Sequence, residues 1–273
     1  MKWEDAGRSK NLEDRRAAGP GRAAVPLGIG GVLIILALSA ITGTDLFSAL
    51  GLSPSAAVQP QTAAPNQAEL EAEEPMVRFV SFVLDDVQSF WHATFEASDL
   101  PYQEAGLVLY RNAVSTACGD APSSAGPFYC PGDQKVSLDL SFFEELSRRY
   151  GAPGDFAQAY VVAHELGHHV QNLLGTLSRA QSQGLSVPVE LQADCFAGVW
   201  GASADRRGVM ERGDLQEGLG AAASVGDDTL AKRAGRIPNQ ETFTHGSSAQ
   251  RTQWFTTGFQ SGDPNSCNTF AGR

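Results

Sequence analysis

The sequence predicts an α+β fold that follows a single N-terminal transmembrane helix. Three observations support this prediction. No charged residue occurs between residues 23 and 44, apolar residues recur with helical spacing over residues 77–95, and they alternate with polar residues over 135–140. With 273 residues, of which 42% are hydrophobic and 19% charged, the chain is long and apolar enough for a domain with its own core.

Residues 23–44 are predicted to be a transmembrane anchor, since about 20 helical residues of about 1.5 Å each cross a hydrocarbon core of about 30 Å. Basic residues cluster in residues 1–22, and the next one along the chain is Arg78. The positive-inside rule therefore predicts a cytoplasmic N-terminal tail over residues 1–22 and a periplasmic or extracellular remainder. A cleaved signal peptide is the alternative, but it needs a shorter charged region and a better cleavage site than Leu38-Ser39-Ala40.

Residues 45–75 are predicted to be a linker, because they combine Pro, Ala, Gln and Glu without a consistent apolar period. The folded domain then occupies residues 76–273. The formal net charge of the chain is −11, and the first 22 residues contain more basic than acidic side chains. The strongly acidic part is therefore the remainder of the chain. Its negative charge would repel phosphate backbones, so nucleic-acid binding is excluded as a function.

Within the domain, residues 77–95 are predicted to form an amphipathic helix, and residues 107–116 and 135–140 are predicted to form strands. The second strand is a candidate sheet edge that pairs with an extended substrate. Ser141 and Glu144 form a predicted capping box for a helix that ends near Tyr150.

The next predicted helix begins at a capping box of Asp155 and Gln158 and ends at Gly175. Gly167 in its middle costs about 1 kcal/mol relative to Ala, which indicates a close approach by another element. His169 points about 100° away from the neighbouring His168, so we interpret it as a packing or hydrogen-bonding group.

The same helix contains His164-Glu165-Leu166-Gly167-His168, the pattern H-E-x-x-H. The two histidines lie about 40° apart around the helix and about 6 Å apart along it, so both imidazoles can meet one cation. A zinc ion with three protein ligands and an open position polarises a carbonyl and acidifies water, and Glu165 can take the proton. Accidental spacing on an ordinary helix is the alternative interpretation.

A third ligand is expected on another helix, and Glu190 is the candidate. Glu190 and Asp194 are four residues apart and share one face of a predicted helix that has Pro188 near its start and runs to about Asp205. Glu190 would bind zinc, and Asp194 would accept a hydrogen bond from the free ring nitrogen of His164. Taken alone, the two carboxylates would also fit a solvated acidic face.

HELGHHVQ and ELQADCFAGVW, preceded by GPFYCPGDQKVSLDLSFFEEL and followed by THGSSAQRTQWFTTGFQSGD, resemble the bacterial family of predicted neutral zinc metallopeptidases. The resemblance extends from about residue 77 to the end. That family is similar to the gluzincins, so the resemblance implies a zincin-like α+β fold. It also implies ligands His164, His168 and Glu190, general base Glu165 and supporting Asp194, but no particular substrate.

His245 is the candidate for stabilising a developing oxyanion, because thermolysin-like enzymes use a His and a Tyr from outside the two ligand helices. The alternative role for His245 is local. Ser247 and Gln250 form a capping box for a C-terminal helix, and His245 would then only shape the entry to that helix.

The cysteines lie beyond the predicted membrane segment, and an even number in an exported domain favours disulfides. Of the three possible arrangements we favour Cys118 with Cys130 and Cys195 with Cys267. A buried free thiol is the alternative for Cys195. A zinc site made of cysteines is a weak alternative because the sequence has no C-x-x-C pair.

The sequence therefore predicts a membrane-anchored zinc peptidase with one Zn²⁺ per chain and a peptide or protein substrate. It would contact the lipid bilayer through residues 23–44 and bind no nucleic acid. A catalytically silent zincin-like domain that binds an envelope protein is the alternative, although such a module would not need Glu165. A purely structural zinc site would ordinarily have four protein ligands.

Overall fold

The computed structural model describes residues 1–17 and 66–271, which form a mixed helix and sheet structure and confirm the predicted α+β class. The strands are β1 (Leu12–Asp14), β2 (Gly106–Tyr110), β3 (Ala113–Thr116), β4 (Gly119–Pro122), β5 (Phe128–Cys130) and β6 (Lys135–Asp139). The helices are α1 (Gln67–Ala72), α2 (Glu74–Glu96), α3 (Ser141–Arg148), α4 (Asp155–Leu173), α5 (Thr176–Ser182), α6 (Ser186–Arg206), α7 (Asp214–Ser224), α8 (Asp227–Arg233) and α9 (Ser248–Ser261).

The main sheet has the order β1-β2-β6-β5, in which β1, β2 and β6 are parallel and β5 runs antiparallel to β6. Leu107 pairs with Val136, and both are almost completely buried. The next pair, Val108 and Ser137, is buried as well, so both faces of β2 and β6 are covered. Strands β3 and β4 form a separate hairpin. The predicted edge at residues 135–140 is therefore wrong, because β6 is an interior strand and β5 is the strand at that end of the described sheet.

The predicted strand over residues 107–116 is two strands in the structure. Asn112 lies between β2 and β3, and its left-handed backbone, with φ of 65°, separates the two strands. The predicted helix over residues 77–95 is confirmed as α2.

Two predicted helix caps are wrong. Helix α3 has no side-chain bond at its cap residue, Leu140, and the carboxylate of Asp139 instead accepts from the backbone N–H of Ser141 at 3.0 Å. The first turn of α4 uses Glu217 of α7, whose Oε2 accepts from the backbone N–H of Phe156 at 3.0 Å. A distant carboxylate can replace a local cap, and local sequence does not reveal it.

Residues 1–17 belong to the same domain as residues 66–271, so the predicted separation of a tail over residues 1–22 is wrong for residues 1–17. Strand β1 pairs with β2 through Leu12 and Leu107, and the Trp3 ring lies edge-on against Phe79 at 5.5 Å. Arg16 is 1% exposed. It donates to the carboxylates of Asp14, in its own segment, and of Glu73, between helices α1 and α2. The segment resembled a tail because its strand partner, β2, and some of its ion-pair partners, such as Glu73, lie far along the sequence.

The predicted linker over residues 45–75 is wrong for its C-terminal part. Asn66 and Glu69 form a capping box at the start of α1, and Glu73 binds Arg16 and Arg111. Residues 18–65 lie outside the described residues, and they include the predicted membrane segment, residues 23–44. Among the helices of residues 1–17 and 66–271, none is long and apolar enough to span a bilayer.

Helix α4 packs against α2, α6 and α7, and α9 lies along α6. A Cβ atom at Gly167 would lie 3.1 Å from Cα of Ala193, so the predicted close approach at Gly167 is confirmed and is made by α6. A Cβ atom at Gly258 would lie 2.0 Å from the carbonyl oxygen of Cys195, so α9 also touches the backbone of α6. These two contacts hold three helices in one tight layer.

The fold makes a prediction about membrane sidedness. Lys10 and Arg148 have exposed side chains and lie in the N-terminal segment and in α3, which are parts of one domain. In cells that express Lys10→Cys or Arg148→Cys, we expect a membrane-impermeant maleimide to label both positions from the same side. Labelling from opposite sides would show that residues 1–17 are separated from the domain.

Candidate metal centre

Three predicted ligands come together where α4 faces α6. His164 and His168 lie one turn apart on α4, and Glu190 lies in the second turn of α6. One ligand atom from each residue lies within 4.8 Å of the other two. Nε2 of His164 is 3.3 Å from Oε2 of Glu190, and Nε2 of His168 is 3.6 Å from Oε1. The three side chains thus converge on one point.

His164 is oriented by Asp194, as the sequence predicts. Its Nδ1 lies 2.9 Å from Oδ1 of Asp194, which is fully buried. An ionised carboxylate can only accept, so Nδ1 carries a hydrogen and Nε2 is the ring nitrogen that faces Glu190.

His168 is oriented by Gln171, a residue that our sequence reasoning missed. Nδ1 of His168 lies 2.9 Å from Oε1 of Gln171. The amide nitrogen of Gln171 donates to the carbonyl oxygen of Val189 and to Gln192, so its oxygen faces the imidazole. His168 therefore also carries its hydrogen on Nδ1 and presents Nε2. The spacing of three residues on one helix was the signal that could have identified Gln171.

Arg251 and Tyr160 surround Asp194 and were also missed. Nε of Arg251 donates to Oδ2 of Asp194 at 2.8 Å, and Nη2 donates to Oδ1 at 2.9 Å. The Tyr160 hydroxyl donates to Oδ1, and Nη2 of Arg251 donates to that hydroxyl at 3.1 Å. An arginine in an amphipathic helix is normally exposed, so no pattern in the sequence indicates that this one is buried.

The electrostatics of the centre favour a cation. Burial alone would lower the pKa of His164, but the Asp194 carboxylate outweighs burial and raises that pKa to about 9. Burial alone would raise the pKa of Glu190, but the neighbouring His168 and His164 hold it well below its usual range. Two ionised carboxylates therefore face the imidazoles, and positive charge between them is stabilised.

The donor set fits zinc. Two imidazole nitrogens and one carboxylate oxygen are the usual protein ligands of a catalytic zinc ion, which leaves one position for water or substrate.

A second acidic cluster, Asp155, Asp214 and Glu217, contains carboxylates alone, and the Met1 ammonium group lies 2.6 Å from Asp155 and 3.4 Å from Asp214. A cation of the chain therefore already offsets part of the charge of this cluster.

A cleft of about 490 Å³ opens onto the centre. It is lined by Glu165 and His245 together with the three predicted ligands, so the structure brings both predicted catalytic residues to the same space. Asp227 holds His245, since its Oδ1 lies 3.2 Å from Nδ1 and its Oδ2 accepts from the backbone N–H at 2.7 Å. This leaves Nε2 of His245 to interact with a molecule in the cleft.

Strand β5 forms one wall of the cleft, through Phe128 and Tyr129. The Tyr129 hydroxyl lies 2.9 Å from Nδ1 of His169, whose Nε2 lies 2.6 Å from the carbonyl oxygen of Gln103. Burial lowers the pKa of His169, which favours the neutral ring. The neutral ring accepts from Tyr129 and donates to Gln103, so His169 has the hydrogen-bonding role predicted for it and ties β5 to α4.

The structure contains both predicted disulfides, Cys118–Cys130 and Cys195–Cys267. Cys130 ends β5, and Cys195 follows Asp194 on α6. The first disulfide therefore anchors a wall of the cleft, and the second attaches the C-terminal segment to a ligand helix.

Known proteins resemble the chain over its whole length. A protein-family model described as "Putative neutral zinc metallopeptidase" matches residues 1–270. The Escherichia coli K12 protein described as "Uncharacterized protein YpfJ" is 43% identical over an alignment of 291 positions, gaps included, that covers 99% of each chain. The Mycobacterium tuberculosis H37Rv protein described as "Uncharacterized protein Rv2575" is 48% identical over 186 residues, which cover 62% of this chain and 64% of that protein. No solved structure matches the chain.

The geometry predicts a difference between two carboxylates that line the same cleft. Glu190→Gln should weaken zinc binding by more than about 100-fold, because even changes to groups that only orient ligands cost about 10–100-fold. Glu145→Gln changes a cleft residue that is not one of the three converging ligands and should keep wild-type zinc affinity. Competition with a chromogenic chelator measures both. Equal affinity in the two variants would remove Glu190 from the ligand set.

Proposed function

Because this chain belongs to the family described as putative neutral zinc metallopeptidases, we propose that it is a zinc-dependent peptidase in which Glu165 is the general base. The observation that carries the proposal is the position of Glu165. It lies next to His164 on α4 and lines the cleft onto which the three predicted ligands open. A base is useful only where water and a substrate can reach it, and this cleft provides that space.

His164, His168 and Glu190 would hold one Zn²⁺ per chain. When bound, zinc would act as a Lewis acid that polarises a carbonyl and lowers the pKa of water. Glu165 accepts the proton of the attacking water and delivers it to the leaving amine. Asp194 and Gln171 hold the two imidazoles in the tautomer that presents Nε2 during these steps. A glutamate as the third ligand, next to two histidines of an H-E-x-x-H helix, favours a gluzincin-type endopeptidase.

His245 is proposed to stabilise the oxyanion. Its Nδ1 lies 3.2 Å from Oδ1 of Asp227 and 2.9 Å from Oγ1 of Thr244, so Nε2 is the ring nitrogen left to face the cleft. A hydrogen on Nε2 can be donated to the negatively charged oxygen that develops on the scissile carbonyl.

The substrate is proposed to be a peptide or protein that binds in extended conformation along β5. This strand ends the described sheet on the cleft side, and its backbone is paired with β6 along one edge. An extended chain can add to such an edge through main-chain hydrogen bonds. The cleft also contains apolar side chains, which favour an apolar substrate side chain. Its apolar lining includes Phe128, Phe142, Val161, Leu177, Val189 and Leu230.

We propose that the domain works outside the cytoplasm and contacts the lipid bilayer through residues 23–44. The two disulfides support this location, because such bonds persist in oxidising compartments. Since residues 1–17 pair with β2, they are proposed to lie on the same side of the membrane as the cleft. A single crossing by residues 23–44 would place them on the opposite side, so the proposal for residues 23–44 is contact with the bilayer and not a single crossing.

Glu165→Gln is expected to lower kcat for peptide hydrolysis by about 10²–10⁴-fold, because the amide cannot accept a proton. Zinc content should stay at the wild-type value, since Glu165 is outside the ligand set. The assay compares full-length wild type and variant, purified in detergent, on unfolded protein and peptide libraries. Zinc binding without cleavage by either form would contradict the peptidase and favour a silent binding module.

His245→Ala is expected to lower kcat by about 10²-fold or more while zinc content and thermal stability stay unchanged. The matched control is His92→Ala, which removes an exposed imidazole from α2. Steady-state kinetics and zinc analysis of both variants test the role. Loss of zinc or of folding in His245→Ala would show that this residue acts structurally.

A further inference from the structure

Arg251 is buried and paired with a carboxylate, which is unusual for an arginine. Its side chain is 4% exposed, and its guanidinium is directed at one carboxylate, that of Asp194. The contact is bidentate, with Nε on one carboxylate oxygen and Nη2 on the other. Two parallel hydrogen bonds from a rigid planar fork fix the plane of a carboxylate, whereas a single donor lets it rotate.

The plane of Asp194 matters because Oδ1 also faces Nδ1 of His164 at 2.9 Å. If the carboxylate rotates, this hydrogen bond changes direction and the imidazole turns with it. Nε2 of His164 then leaves the point at which it meets Glu190. We propose that Arg251 is a positioning residue that fixes Asp194 and, through it, the metal-binding direction of His164. This inference rests on the proposed zinc centre.

The helix that carries Arg251 is itself fixed against the ligand helix. The backbone of α9 touches α6 at Gly258 and Cys195, and the Cys195–Cys267 disulfide joins α6 to the segment that follows α9. At its other end, the Ser247–Gln250 capping box places Arg251 in the first turns of α9. The guanidinium is therefore presented from a rigid frame.

Arg251 could instead serve only as the counter-charge that makes the burial of Asp194 tolerable. Substitution of Arg251 by lysine distinguishes the counter-charge role from the orienting role. A lysine supplies the charge but has no planar fork, so it satisfies a counter-charge role and fails in orientation. Removal of the charge destabilises the fold under either role, so stability alone does not separate them.

The experiment measures the zinc dissociation constant of the full-length chain, purified in detergent, by chelator competition. The variants are Arg251→Lys, Arg251→Met and the control Arg207→Met. Arg207 also binds an aspartate with two nitrogens, at 2.6 and 2.7 Å from Asp86, but it is partly exposed at the far end of α6. Thermal unfolding of the metal-stripped proteins is recorded in parallel.

We expect Arg251→Lys to bind zinc about 10–100-fold more weakly than wild type, although it folds, and Arg207→Met to bind zinc like wild type. If Arg251→Met does not fold, the lysine variant still decides. Wild-type zinc affinity in Arg251→Lys would overturn the proposal. The readout is independent of hydrolysis, so a wild-type chain that binds zinc without cleaving peptides would refute the proposed peptidase and leave this test intact.

Discussion

The close crossing of helices α4 and α6 is the contact on which the metal centre depends. Gly167 lies against Ala193 so closely that a Cβ atom there would be 3.1 Å from the Ala193 Cα atom. A glycine in a helix costs about 1 kcal/mol relative to alanine. This approach brings two carboxylates of α6 to the two ring nitrogens of His164, since Asp194 reaches Nδ1 and Glu190 reaches Nε2. One carboxylate orients the imidazole, and the other meets it at the metal position.

The second ligand helix has its own support. Helix α9 lies along α6, contacts it backbone to backbone at Gly258, and carries the arginine that binds Asp194. The loop just before α9 contains His245, which Asp227 holds at the mouth of the cleft. One helix thus supports both the metal centre and the residue proposed to face the oxyanion. A disulfide then closes this arrangement from Cys195 to the C-terminal segment.

The parts that the sequence predicted well depend on short-range geometry. Helical spacing determines that His164 and His168 share a face, and that Glu190 and Asp194 share another, whatever the rest of the fold does. The parts that it missed depend on contacts between distant segments. The burial of Arg251 is invisible in its own helix, and residues 1–17 resembled a tail because β1 finds its partner about 95 residues later, as the pairing of Leu12 with Leu107 shows.

Zinc-edge X-ray absorption on the full-length chain loaded with zinc tests the central claim most directly. We expect nitrogen and oxygen ligands alone at about 2.0–2.2 Å, with the outer-shell scattering of two imidazoles, and loss of one imidazole in His168→Ala. Sulfur scattering at about 2.3 Å would contradict it, because the cysteines are joined in disulfides and the proposed centre contains none. Failure of the folded chain to bind zinc would contradict it as well.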